Sequence, residues 1–174
     1  MVSGFTRGDF RRLAFVFLAL VAVLGGACSR TKTATAFDAA AVIKEVRAFT
    51  AAVAAKITQG GPIAWEDQFS EAPAFFMVVD DRVVFADRAG ASTGIKEVAK
   101  TISRLELTWN EPMIIDPITP DLAAVGMPWR EVIVDTTGKR VDQSGYFTAL
   151  AERGPAGWKF RNAHWSVTPI PPTK

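Results

Sequence analysis

Residues 140–167, RVDQSGYFTALAERGPAGWKFRNAHWSV, decide the fold. Two runs rich in aromatic and β-forming residues, 140–151 and 158–167, flank a turn-rich break at 153–157, a pattern that predicts two long strands joined by a short connection. Working outward, a third run at 122–135 is set off by the turn-rich residues 136–139. A fourth at 105–115 is set off by residues 117–121. Four long β candidates in succession, separated only by short turns, form an antiparallel meander. Pro128 inside the 122–135 run predicts a bulge or bend there, because proline cannot donate to a ladder.

The chain before the meander reads differently. Val42, Ile43, Val46, Phe49, Val53 and Ile57 recur at spacings of three and four, which is one face of a helix. Asp38 is placed to cap its start and Gly60-Gly61 to end it. Pro62 suits the first turn of a second, short helix that carries Trp65 and Phe69 one turn apart. Two short β runs, 75–79 and 82–86, surround Asp80-Asp81, a hairpin turn. Ser92 or Thr93 then caps a third helix carrying Ile95, Val98, Ala99 and Ile102. Helices first and a strand meander last argue for an α+β domain with an antiparallel sheet. Such a sheet, strongly bent over amphipathic helices, encloses a cone.

The ends carry other signals. Arg7, Arg11 and Arg12 precede the apolar run LAFVFLALVAVL at 13–24, followed by Gly25, Gly26, Ala27 and then Cys28, the only cysteine. Basic, apolar, small is the order of a secretory signal peptide, and the run is short for a membrane span, which needs roughly 20 residues. A lone cysteine in this position resembles the lipidated residue of a bacterial lipoprotein, although Leu24 sits one place earlier than that pattern prefers. Ordinary cleavage, before Cys28 or near Ala34-Thr35-Ala36, is the alternative. Arg11-Arg12 also hints at a twin-arginine signal. The organisation expected is a signal peptide over 1–28, a tether over 29–37, a domain over 38–168 and a Pro-rich tail over 169–174. Ser29 after Cys28 resembles outer-membrane sorting. The product would lie in the bacterial cell envelope, held by lipid alone, or free in the periplasm or medium if Cys28 is not lipidated.

Charge and composition narrow the function. The segment 1–28 holds three of the 20 basic residues and one of the 18 acidic ones, leaving 17 of each, so no basic face for nucleic acid is implied. One histidine and no cysteine beyond Cys28 argue against a metal site of the usual His or Cys sets. No Gly-rich phosphate loop, nucleophile elbow or H-E-x-x-H motif occurs, and no cofactor is expected.

The element order, with Trp109-Asn110-Glu111-Pro112, Trp129-Arg130-Glu131, the strand from Arg140 to Thr148, and a last strand of the form G-W-(basic)-(apolar)…H-x-S at 157–166, resembles the nuclear transport factor 2-like superfamily in its SnoaL-like branch. It is similar also to the association domain of calcium/calmodulin-dependent kinase II. The resemblance spans about residues 38–167. It implies a cone with a pocket in a nuclear transport factor 2-like, cystatin-like fold, and often a homodimer paired through the open sheet face. The superfamily includes isomerases, cyclases, dehydratases and non-catalytic binding modules, so fold does not settle function.

Strict alternation along the last strand puts Trp158, Phe160, Asn162, His164 and Ser166 on one face, and Lys159, Arg161, Ala163 and Trp165 on the other. The first set joins apolar walls to polar anchors, as a pocket requires. His164 is a candidate proton carrier, with Glu131 facing it across the sheet as its carboxylate partner or as a base itself. The plain alternatives are a core histidine and an exposed glutamate. Trp65, Phe69, Trp109, Trp129, Tyr146, Phe160, Asn162 and Ser166 complete the expected ligand-binding set, and the aromatics favour a small apolar ligand over a sugar or nucleotide. The leading expectation is a non-enzymatic binding or assembly module. The alternative is an isomerase, cyclase or dehydratase working by acid–base catalysis.

Overall fold

The computed structural model describes residues 37–168. They run as α1 (Ala39–Gly60), a 3-10 helix (Pro62–Gln68), β1 (Met77–Val79), β2 (Arg82–Phe85), α2 (Arg88–Ala99), β3 (Ile102–Trp109), β4 (Ile114–Thr119), β5 (Leu122–Asp135), β6 (Arg140–Gly154) and β7 (Gly157–Val167). The expected targeting segment, Cys28, most of the tether and the Pro-rich tail lie outside the described residues. The class is α+β, with the helices packed on one face of a curved, unclosed sheet ordered β2-β1-β7-β6-β5-β3. β4 also pairs with β5, beside the half that β3 leaves free. Every pairing is antiparallel except β1 with β7.

Helix α1 starts where Asp38 Oδ1 accepts the Ala41 N–H at 3.0 Å. It stops at Gly61, whose φ of 69° suits glycine and whose N–H donates to the Ile57 carbonyl at 2.8 Å. Val42, Val46, Thr50, Val53 and Ile57 form its buried stripe. Thr58 ties the helix to β3 by accepting the Leu107 N–H at 3.0 Å. Against this stripe lie Met127, Trp129, Phe147 and Phe160, all essentially fully buried. Each contributes about 1.5–3 kcal/mol of hydrophobic stabilisation.

Four expectations are corrected. Helix α2 begins at Arg88 rather than at Ser92 or Thr93, because Asp87 accepts the Gly90 N–H at 2.7 Å and supplies an earlier cap. Ile102 belongs to β3, since the helix ends at Ala99. The single run expected at 105–115 is two strands, broken at 110–113 around a cis Glu111-Pro112 bond. Pro128 makes no bulge with β6, where pairing continues unbroken from Met127↔Phe147 to Trp129↔Gly145. On its other side it falls between the ends of β3 and β4, where a missing N–H leaves nothing unpaired.

The bulge lies in β7 instead. Ala151 pairs with Phe160 and Leu150 with Asn162, so Arg161 is an extra residue. The Asn162 side chain accepts the Leu150 N–H at 3.1 Å, and the Phe160 carbonyl accepts the Ser70 N–H at 2.9 Å. One inserted residue reverses the alternation beyond it. Phe160, Ala163 and Trp165 are therefore buried on the inner face.

Candidate functional site

The inner face of the sheet and the helices above it enclose a cavity of about 210 Å³. The sheet side is formed by Trp129 and Glu131 of β5, Gln143 of β6, and Trp165 and Val167 of β7. Met77, Val79 and Phe85 of the β1–β2 hairpin close one flank. Ile95 and Val98 of α2 close another, and Pro62, Trp65 and Phe69 form the last. Val98 is 44% exposed, which places it at the mouth. Gly94 has a specific purpose here: a Cβ on it would run into the Phe85 ring, so the glycine lets that ring seat against α2.

The walls are aromatic. Trp165 meets Trp65 edge-on at 88° and Trp129 at 77°, with ring centroids 5.6 and 5.1 Å apart, while Trp65 stacks on Phe69 at 5.5 Å. Trp129 lies across the position where Gly145 has no side chain. It is 2% exposed, and its indole N–H has no partner. A buried donor without an acceptor costs about 1–3 kcal/mol, which an acceptor on a ligand would recover.

Among the described residues Glu131 is the one titratable side chain lining this cavity. In the sheet it stands opposite Leu107 of β3 and Gln143 of β6, and Gln143 Nε2 donates to its Oε2 at 3.1 Å. Burial pushes the carboxyl pKa above its ordinary value, and the Gln143 hydrogen bond offsets this only in part. No guanidinium helps: Arg130, the next residue, turns to the opposite face and donates from Nε to Asp142 at 2.9 Å. Among the described residues no cluster of three or more His, Cys, Asp or Glu side chains is placed to hold a metal ion.

Of the residues named from sequence, Trp65, Phe69, Trp129 and Glu131 come together in the cavity. Trp109 and Phe160 do not reach it. Trp109 stacks behind Trp165 at 5.6 Å and donates its indole N–H to the Thr50 carbonyl at 2.8 Å. Phe160 is buried between Phe49 and Phe147. Tyr146, Asn162, His164 and Ser166 lie on the outer face of the sheet, because the β7 bulge turns the last three away from Phe160. Tyr146, Asn162 and His164 line a shallow outer groove of about 530 Å³ with Phe76, Ile114, Asp116 and Thr148. His164 does not face Glu131. It pairs with Thr148 of the intervening β6, and its Nε2 lies 3.1 Å from the Asp80 carbonyl. Sequence reasoning named Phe85 among the aromatics able to line a cavity, missed Gln143, and put Trp165 on the wrong face. Counting back from the turn at 136–139 brings residue 143 close to Glu131, a signal that was available.

No protein-family model matches the chain, and no curated protein matches it in sequence. Solved structures do match in shape. A nuclear transport factor 2-like superfamily protein from Salmonella enterica serovar Typhimurium superposes with a TM-score of 0.63 at 16% identity, covering 79% of this chain and 100% of that one. The fold is nuclear transport factor 2-like. A candidate dehydratase of that family from Streptomyces avermitilis gives 0.61 at 16% identity, covering 75% and 99% of the two chains. A protein with a cystatin-like fold from Caulobacter vibrioides gives 0.56 at 16% identity, covering 73% and 89%. At these identities the likeness concerns the fold.

Proposed function

We propose that this domain binds a small, mainly apolar ligand in the cavity between α2 and the inner sheet face. The observation that carries the reading is a pair of polar groups left incomplete inside aromatic walls, the half-buried Glu131 carboxyl and the buried Trp129 N–H. Glu131 has one hydrogen bond from the protein, and the Trp129 N–H has none. Apolar walls with a few convergent polar groups are what a ligand site requires. The domain acts in the cell envelope, anchored through lipid at Cys28, as a homodimer paired through the outer sheet face. Exposed Phe76, Ile114, Ile118 and Tyr146 on and beside that face support the pairing.

Native mass spectrometry of residues 29–174, purified gently from cells that make the protein, tests this. The expected result is a dimer carrying a discrete extra mass that disappears in Val98→Trp, which plugs the mouth. A retained mass unaffected by Val98→Trp would place the ligand elsewhere.

One observation favours a second reading, an acid–base enzyme of the isomerase, cyclase or dehydratase type. A carboxyl group whose pKa is raised by burial can hold or accept a proton near neutral pH, as a general acid or base must. The base in that reading is Glu131, and His164 drops out because it lies on the other face. The candidate dehydratase from Streptomyces avermitilis shares the fold. Turnover of an apolar substrate abolished by Glu131→Gln and untouched by His164→Ala would support it.

A further inference from the structure

We propose that the ligand of this cavity is a small organic cation: an amine with an apolar body whose ammonium group pairs with Glu131. The inference rests on the reading of the cavity as a ligand site. A carboxylate removed from water can be relieved by a proton or by a cation. Among the described residues no Lys, Arg or His lies within salt-bridge distance of Glu131. The nearest in sequence, Arg130, is committed to Asp142 on the opposite face. In the sheet Glu131 is flanked by Leu107 and Gln143, and the cavity faces supplied by α2, the 3-10 helix and the β1–β2 hairpin carry no charge. The described residues thus leave a carboxyl group at the cavity wall without a counter-charge.

The walls suit the same guest. Indole and phenyl faces carry negative quadrupole charge and attract cations within about 6 Å, most strongly where water is excluded. Trp65, Phe69, Trp129 and Trp165 supply them, with Trp165 nearly perpendicular to both other indoles, so the rings wall more than one side. An ammonium N–H adds a charge-assisted hydrogen bond to Glu131. The volume, about 210 Å³, falls below the roughly 300–1,000 Å³ of pockets for drug-sized ligands. The amine is therefore of single-ring or short branched size. Because the cation favours the ionised carboxylate, binding expels any proton that Glu131 holds.

The neutral rival is a hydroxyl compound, which could donate to Glu131 and accept from Trp129. Titration of the chain from Ser29, which contains every described residue, by tryptophan fluorescence separates the two. The probes are benzylamine, benzyl alcohol and benzoate at pH 7.5. Benzylamine is expected to bind at least tenfold more tightly than benzyl alcohol, with benzoate the weakest. Glu131→Gln should weaken benzylamine at least tenfold while leaving benzyl alcohol within about twofold. Benzyl alcohol binding as tightly as benzylamine, or a preference for the amine that survives Glu131→Gln, overturns the cation and leaves the cavity as a ligand site. Amine binding that persists in Val98→Trp puts the cation outside the cavity and overturns it too. Failure of all three probes, with no retained mass in the native spectrum, removes both readings.

Discussion

Glu131→Gln should stabilise the empty domain, and do so increasingly as pH rises. The carboxyl pKa is raised on folding from its ordinary value of 4.5, with burial the dominant cause. A group whose folded-state pKa is raised gives its full stability below the unfolded-state pKa and loses it as pH climbs to the folded-state value. Glutamine keeps the shape, accepts the same hydrogen bond from Gln143 and does not titrate. The difference in unfolding free energy should therefore be nearly constant below about pH 4. It should then grow in favour of Glu131→Gln by about 1.4 kcal/mol per pH unit, the value of one proton, and level off at the folded-state pKa. Urea denaturation of both proteins between pH 4 and 8, followed by tryptophan fluorescence and far-UV circular dichroism, measures the difference at each pH. The carboxyls of Glu66, Glu111, Asp135, Asp142 and Glu152 are shifted downward, so they weaken both proteins on the acid side and cancel in the comparison. A flat difference across the range, or one that favours glutamate as pH rises, would refute the placement of Glu131 in a partly desolvated site without a counter-charge. A cation bound at saturation should shrink the gain, because it lowers the carboxyl pKa again.

Three further outcomes follow from the structure. Gly145→Ala should cost more than about 3 kcal/mol in chemical denaturation, because its Cβ would strike the Ser166 carbonyl and force β6 and β7 apart, whereas Gly126→Ala, which meets only the movable end of Tyr146, should stay within about 1 kcal/mol. Trp109→Phe should lower stability by about 1–3 kcal/mol through loss of the bond to Thr50, yet leave ligand affinity unchanged within twofold, since Trp109 backs the cavity without lining it. Cys28→Ser should move the protein from the membrane fraction to the soluble fraction after gentle lysis, and labelling with a fatty-acid analogue should be lost with it; an unchanged distribution would dismiss the lipid anchor.

The fold was legible because its signals are redundant. The α1 stripe from Val42 to Ile57, the Asp80-Asp81 turn and three of the four long strands each rest on several residues that agree. Where a single competing residue decided the outcome, the reading failed. Asp87 outcompetes Ser92 and Thr93 as a cap because it comes first and its carboxylate reaches a free N–H. Pro112 splits the run at 105–115, which a count of β-forming residues alone does not register. The candidate site was half legible for the same reason. Trp129 and Glu131 sit on β5, whose alternation is unbroken, so their shared face followed from counting, and Trp65 and Phe69 reach the same cavity from the 3-10 helix and the residue that ends it.

The last strand shows why counting is not enough. Residues 157–167 alternate cleanly in sequence, and nothing in their types announces that Arg161 is supernumerary. The information lies in the partners: Ala151 opposite Phe160, then Leu150 opposite Asn162. The bulge exchanges a histidine for a tryptophan on the inner face, and with it the chemistry of the cavity. With Trp165 inside, Glu131 shares the cavity with indole rings, one of which carries an unpartnered N–H, and among the described residues no cation lies within salt-bridge distance of it. One inserted residue thus takes the imidazole out of the cavity and puts an indole in its place. That is why the histidine has no part in the proposed site, and why the proposed reading rests on Glu131 and the aromatic walls instead.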